Sequence, residues 1–225
     1  MFNRLEILID GKINLLKNKT VMVIGLGGVG GHAFESLVRS CIENIIVIDN
    51  DVIDITNLNR QALAYQSTIG KPKVEIAKKI AENINPNCQI IPLQIFLNEE
   101  NIDEVFNQKI DFVIDAIDTI NTKKIIIKKC IKENVPFISV MGTGNKMHPE
   151  LLEVTDIRKT EYDPIAKIIR KMVKDEKINK KVPVVFSKEK PLVKGRIGSN
   201  SFVPATAGLL ATSYVINKLL EEKHE

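Results

Sequence analysis

The sequence predicts an α/β fold: a mostly parallel sheet with flanking helices, followed by a C-terminal basic insertion and a closing helix. Three observations carry this. Short apolar runs alternate with segments of helical periodicity between residues 20 and 140, as strands joined by crossover helices do. The first run, Val21-Met22-Val23-Ile24, is apolar without alternation, which is what a strand covered on both faces requires. A glycine turn, Gly25-Leu26-Gly27-Gly28-Val29-Gly30, follows it directly and makes the opening unit Rossmann-like.

The remaining elements follow in order. A helix is expected over residues 31–41, where Phe34, Leu37 and Val38 recur at helical spacing, and a second strand over 45–48. A helix over 73–83 ends before Pro86, and residues 89–96 alternate as a strand. Residues 111–115 and 137–140 read as two more strands, with a helix carrying Cys130 between them. Beyond Gly144 the character changes. A strand over 151–154 leads into a Lys-rich helix over 163–181 and a strand over 182–186, which reads as an insertion. Residues 204–220 close the chain as an amphipathic helix with Pro204 near its start.

At 225 residues, 44% hydrophobic and 27% charged, the chain suits one domain spanning 1–225 and is unlike disordered, collagenous or low-complexity sequences. Arg4, Glu6, Asp10 and Lys12 interrupt the first apolar stretch, so no export signal is expected. Residues 201–217 are too polar and too broken by Pro204 and Gly208 for a membrane span, and no membrane partner is expected. Cys41, Cys88 and Cys130 form no CxxC pair, which supports neither a disulfide framework nor a zinc site and fits a reducing cytoplasm. The net charge is +4, yet residues 158–196 hold 13 Lys and Arg against five Asp and Glu. Such a segment is either a solvated face or the footprint of a polyanion.

The candidate site residues gather where strands end. In the glycine turn, Gly25 permits the tight bend, Gly27 and Gly28 let a phosphate approach, Gly30 allows close helix packing, and the helix N-terminus supplies N–H donors. Asp49, 19 residues past Gly30, can accept from a ribose diol of NAD or of ATP. Asp51 and the run Asn57-Leu58-Asn59-Arg60-Gln61 then favour ATP: Arg60, with Asn57 and Gln61, can bind a triphosphate's outer phosphates, and Lys73 adds a point charge. Asp118, just past a strand end, can hold Mg²⁺ through one carboxylate or can cap the helix that follows. Asn121 and Lys123 lie just beyond it. Against mere solubility for Arg60 and Lys73, the catalytic set expected is Arg60, Lys73 and Asp118.

Together these motifs resemble the ubiquitin-activating-enzyme-like superfamily, from residue 4 to about 220. The resemblance implies adenylation of a carboxylate by MgATP, with the glycine loop and Asp49 holding the nucleotide, Arg60 and Lys73 binding phosphates, and Asp118 placing the metal. It also implies a homodimer in which Arg4 reaches the neighbour's ATP. No cysteine follows Cys130, so the thiol and zinc features of branches that activate carrier proteins are missing. Met141-Gly142-Thr143-Gly144-Asn145-Lys146, Val154-Thr155-Asp156-Ile157, Lys159-Thr160, Asp163-Pro164-Ile165-Ala166-Lys167 and Gly198-Ser199-Asn200-Ser201-Phe202-Val203-Pro204 resemble the tRNA threonylcarbamoyladenosine dehydratases. That branch implies a tRNA partner modified beside its anticodon. The alternatives are adenylation of a ubiquitin-like or sulfur-carrier protein, an NAD-dependent oxidoreductase built on the same glycine turn, and a nucleotide-binding scaffold without catalysis.

Overall fold

The computed structural model describes residues 1–193 and 195–221. Two short helices, α1 (Asn3–Leu8) and α2 (Asn14–Lys17), precede an alternation of β1 (Thr20–Ile24), α3 (Gly30–Arg39), β2 (Asn44–Ile48), α4 (Lys73–Ile84) and β3 (Gln89–Leu93). Then come α5 (Ile102–Phe106), β4 (Phe112–Asp115), α6 (Ile120–Glu133), β5 (Phe137–Val140) and β6 (Leu152–Asp156). The chain ends in α7 (Pro164–Asp175), β7 (Pro183–Ser187) and α8 (Phe202–Glu221).

The strands form one sheet in the order β3-β2-β1-β4-β5-β7-β6. All neighbours are parallel except the edge pair β6–β7. The basic segment therefore supplies β7 to the sheet beside β5, with α7 packed against the same face as α6. Apolar side chains cover both faces, and the parallel strands are accordingly apolar runs rather than alternations. Val21, Val23, Ile45 and Ile114 pack with α3, α4 and α8 on one face. Met22, Ile24, Ile46 and Val113 pack with α5, α6 and α7 on the other. The chain order reverses between β1 and β4, and the crevice at such a switch point, outside the carboxyl ends of the strands, is where ligands bind in open α/β sheets.

Three boundaries differ from expectation for identifiable reasons. The first helix stops at Arg39, not at Cys41, because Cys41 takes a left-handed conformation (φ 66°) and Ile42 N–H donates back to Leu37 O at 3.2 Å. This is a Schellman turn without its usual glycine. The Lys-rich helix ends at Asp175 in the same way: Lys177 is left-handed (φ 52°) and Ile178 N–H reaches Val173 O at 3.0 Å. The strand beginning at Gln89 stops at Leu93, because its neighbour β2 ends at Ile48 and the ladder has no further partner. The short helices α1, α2 and α5 span too few residues for periodicity to reveal them. Among the described residues no helix is long and apolar enough to cross a membrane, and α8 instead buries Val203, Ala207, Ala211 and Val215 against the sheet.

Candidate active site

A cavity of about 1470 Å³ opens at the carboxyl ends of β1, β2, β4 and β5. Its volume exceeds the range of about 300–1,000 Å³ that holds one drug-sized ligand, so it has room for a nucleotide and a second group. The glycine turn forms its floor. Gly25 adopts φ +88°, and a Cβ there would lie 2.9 Å from Ala116 O. A Cβ on Gly30 would overlap the Gly25 carbonyl oxygen, so this position closes the helix onto the turn. Gly27 differs: a Cβ there would meet nothing within 4 Å. Packing does not demand glycine at 27, which leaves a cradle facing the cavity.

Asp49 holds the turn in shape. Its Oδ2 accepts the Leu26 N–H at 2.6 Å and its Oδ1 accepts the Asp51 N–H at 2.8 Å. Lys73, buried at the start of α4, places Nζ 2.8 Å from Asp51 Oδ2 and 3.6 Å from Asp49 Oδ1. Lys73 is therefore an interior cation tied to two carboxylates rather than a solvated surface charge.

The loop after β2 forms one wall. Asp54 caps the turn at Ile55–Asn57, and the Asn57 Oδ1 accepts the Asp54 N–H at 3.0 Å. Arg60 donates Nη1 to Thr56 O and to Asn59 Oδ1, both at 2.8 Å, and its stem passes over Gly28. His32 turns its Nε2 to the Arg60 carbonyl at 3.3 Å. Gln61 is buried, and its Oε1 has no hydrogen-bond partner among the described residues. An orphaned buried acceptor in a cavity wall is satisfied when a ligand brings a donor, and a nucleotide's amino group or ribose hydroxyl is such a donor.

Asp118 lines the cavity from the segment after β4, whose residues Ala116 and Ile117 abut the glycine turn at Gly25. It does not cap the following helix: the N-cap of α6 is Thr119, with no side-chain cap. Its carboxylate is exposed and makes no hydrogen bond or ion pair among the described residues.

A model of the ThiF family matches residues 3–222. The chain belongs to the ThiF family. Within it, the tRNA threonylcarbamoyladenosine dehydratase of Bacillus subtilis (strain 168) is 43% identical over 98% of this chain and 95% of its own. The dehydratase of Escherichia coli (strain K12) is 30% identical over 92% and 88%. The crystal structure of that E. coli enzyme in complex with ATP superposes with a TM-score of 0.92 at 32% identity, covering 97% of this chain and 93% of the other. The molybdopterin-synthase adenylyltransferase of E. coli is 32% identical over 65% of this chain and 57% of its own length.

In this ThiF-family chain, Gly25, Gly27, Gly28, Asp49, Asp51, Asn57, Arg60, Gln61, Lys73 and Asp118 all border the one cavity. Gly30 sits behind it in a packing role. Arg4 is exposed on α1 and does not line this cavity. Residues 141–146 and 163–165, which the sequence singled out only for their resemblance to the dehydratases and not as site residues, form another part of the wall. There Lys146 and Asp163, both buried, pair at 3.2 Å, and Lys146 also donates to Gly142 O at 2.7 Å. Sequence reasoning missed the partner of Asp115. Asp115 is fully buried against Lys123, a contact that strand alternation alone does not show.

The three thiols are buried and free. Burial pushes Cys88 up to about 12 and raises Cys41 and Cys130 as well. A thiol is a nucleophile only as thiolate, so none of them is poised for acyl transfer.

Proposed function

We propose that this chain is an ATP-dependent tRNA threonylcarbamoyladenosine dehydratase, which activates the carboxylate of that modified nucleoside as an acyl-adenylate and closes it to a ring. One observation carries the reading: a chain matching dehydratases over nearly its whole length has an open glycine cradle and an uncommitted carboxylate, Asp118, lining one cavity from the ends of the neighbouring strands β1 and β4. The E. coli relative's complexes with ATP and AMP support ATP as the nucleotide here, in place of NAD. The match to the molybdopterin-synthase adenylyltransferase covers only 65% of this chain, so carrier-protein activation is the weaker reading.

A free carboxylate is a poor electrophile, and adenylation corrects this. Its oxygen bonds to the α-phosphorus while the bond to the bridging oxygen breaks and pyrophosphate departs. The nucleoside's own urea-like nitrogen then bonds to the acyl carbon, the bond to the AMP oxygen breaks, and the nitrogen loses its proton. Water is lost from the nucleoside overall. The second step is intramolecular, which gains the proximity advantage of a unimolecular reaction and needs no protein thiol.

The chain's residues divide this work. Gly27 and Gly28, with the N–H groups at the start of α3, cradle phosphate oxygens. Arg60 and Lys73 face the charge that gathers on pyrophosphate. Gln61 and Asp49 take the nucleoside's donors. The donor set fits Mg²⁺: a lone free carboxylate beside a phosphate cradle suits an ion that keeps waters and phosphate oxygens in its shell. Asp118 would hold it. When bound, the ion neutralises charge on the phosphates.

Residues 158–196 are the basic insertion of the single domain 1–225 and would take the tRNA near its anticodon. The chain would act as a homodimer. Arg4, remote from its own cavity, would then serve a neighbour's nucleotide. Three buried thiols fit a reducing cytoplasm.

The test is mass spectrometry of nucleosides from threonylcarbamoylated tRNA incubated with the protein, ATP and Mg²⁺ under conditions that preserve a labile ring. Loss of one water that depends on ATP is expected. Asp118→Ala should lower its rate by about 100-fold or more without lowering thermal stability, since Asp118 contributes no bond to the fold. An unchanged nucleoside with ATP bound would turn the reading to a carrier protein.

A further inference from the structure

One buried polar cluster has no task in the scheme above. Asp115, Lys123 and Ser139 are each fully enclosed at the carboxyl ends of β4 and β5. Lys123 Nζ donates to Asp115 Oδ2 at 2.9 Å, to Ser139 Oγ at 3.3 Å and to Val140 O at 3.0 Å, which accounts for all three of its protons. Ser139 Oγ donates to Asp115 Oδ2 at 2.6 Å, and Asp115 Oδ1 accepts the Ile117 N–H at 3.3 Å. Parallel register sets Asp115 directly beside Ser139, and α6 brings Lys123 over the pair from its first turn.

Stability does not account for this cluster. Desolvating two charges is expensive, and apolar residues of similar size at such positions are often neutral or stabilising. What the bonds do is geometric. One ends on Ile117, in the turn that presents Asp118 to the cavity. Another ends on Val140, the last residue of β5, from which the wall at 141–146 departs. The cluster joins the two cavity walls from below.

We propose that Asp115, Lys123 and Ser139 form a positioning clamp that fixes the distance between Asp118 and the 141–146 wall, so that the metal-bearing carboxylate and the second substrate's half of the cavity stay in register. The proposal rests on the adenylation reading above and adds to it. A clamp acts on the reacting geometry rather than on nucleotide affinity. Its loss therefore lowers kcat and leaves ATP binding nearly unchanged.

Two variants test this. Ser139→Ala removes the acceptor for Lys123 and the donor to Asp115 together and leaves the charge pair. The double substitution Asp115→Leu with Lys123→Met removes the charges together, so that neither is left buried alone. For each, thermal midpoint, ATP dissociation constant in the absence of tRNA, kcat, KM and the Mg²⁺ concentration giving half-maximal rate are measured beside wild type. Ser139→Ala is expected to lower kcat about tenfold, to raise the half-maximal Mg²⁺ concentration, and to leave ATP affinity within about twofold. The folded double variant is expected to lose more. If Ser139→Ala keeps the wild-type kcat and Mg²⁺ dependence, the clamp is overturned, whatever the double variant does. A wild-type protein that binds ATP yet forms no cyclic nucleoside removes the adenylation reading itself, a separate outcome.

Discussion

Lys73 shows how one residue can belong to the fold and to the chemistry at once. Its ammonium is buried and sits between Asp51 at 2.8 Å and Asp49 at 3.6 Å, and Asp49 in turn holds the backbone of the glycine turn. Lys73→Met should therefore cost about 1–3 kcal/mol in urea unfolding, because it leaves the buried Asp49 carboxylate without its cation while the exposed Asp51 stays solvated. It should also lower the dehydration rate by about tenfold or more. Asp118→Ala shows the second effect without the first, and paired unfolding and rate measurements separate them. Reading these two roles from sequence met different limits. Asp118 was legible as a carboxylate past a strand end, and its placement decided against the capping alternative. The bonds of Lys73 to Asp49 and Asp51 bridge more than 20 positions in sequence, and only the closed fold shows them. Lys123 was visible just beyond Asp118, but its partnership with Ser139 depends on strand register, which spacing does not encode.

At the scale of elements, the glycine turn is supported from behind. Helix α8 crosses α3 so closely that a Cβ on Gly208 would overlap the Val29 carbonyl oxygen and lie 3.0 Å from the Ala33 nitrogen. Thr212 fixes the crossing by donating to Ala33 O at 3.1 Å. Val29 is the residue that leads from the glycine turn into α3. Gly208→Ala should gain slightly in helix propensity and still destabilise the protein by about 1–3 kcal/mol through overpacking against backbone. ATP affinity should fall severalfold in the same variant, because the displaced group is the turn itself. Titration of ATP against folded Gly208→Ala checks this, and unchanged affinity would show that α8 supports only the core. Strands buried on both faces and helices of 10 residues or more were legible because their apolar patterns are strong. Helix ends that rely on left-handed Cys41 and Lys177 were not, because neither residue type signals such a turn.

At the scale of the whole molecule, charge and cavity are arranged along one line. The N-terminus of α7 borders the cavity at Asp163, Pro164 and Ile165, and its 12 residues carry the helix about 18 Å away from it. Ala166, Ile169, Met172 and Val173 bury one side against the sheet. Lys167, Lys171 and Lys174, spaced to share the other side, are exposed and form no ion pair among the described residues. A stripe of unpaired ammonium groups running from the cavity mouth is what an approaching phosphate backbone requires, whereas a merely solvated face needs no such continuity with the site. Neutralising the three together, as Lys167→Gln, Lys171→Gln and Lys174→Gln, should weaken tRNA binding. The slope of log affinity against log salt should become shallower by about two to three units. ATP affinity, set at the glycine turn, should not change. An unaltered salt slope would mean that tRNA is held elsewhere and that this stripe serves solvation alone.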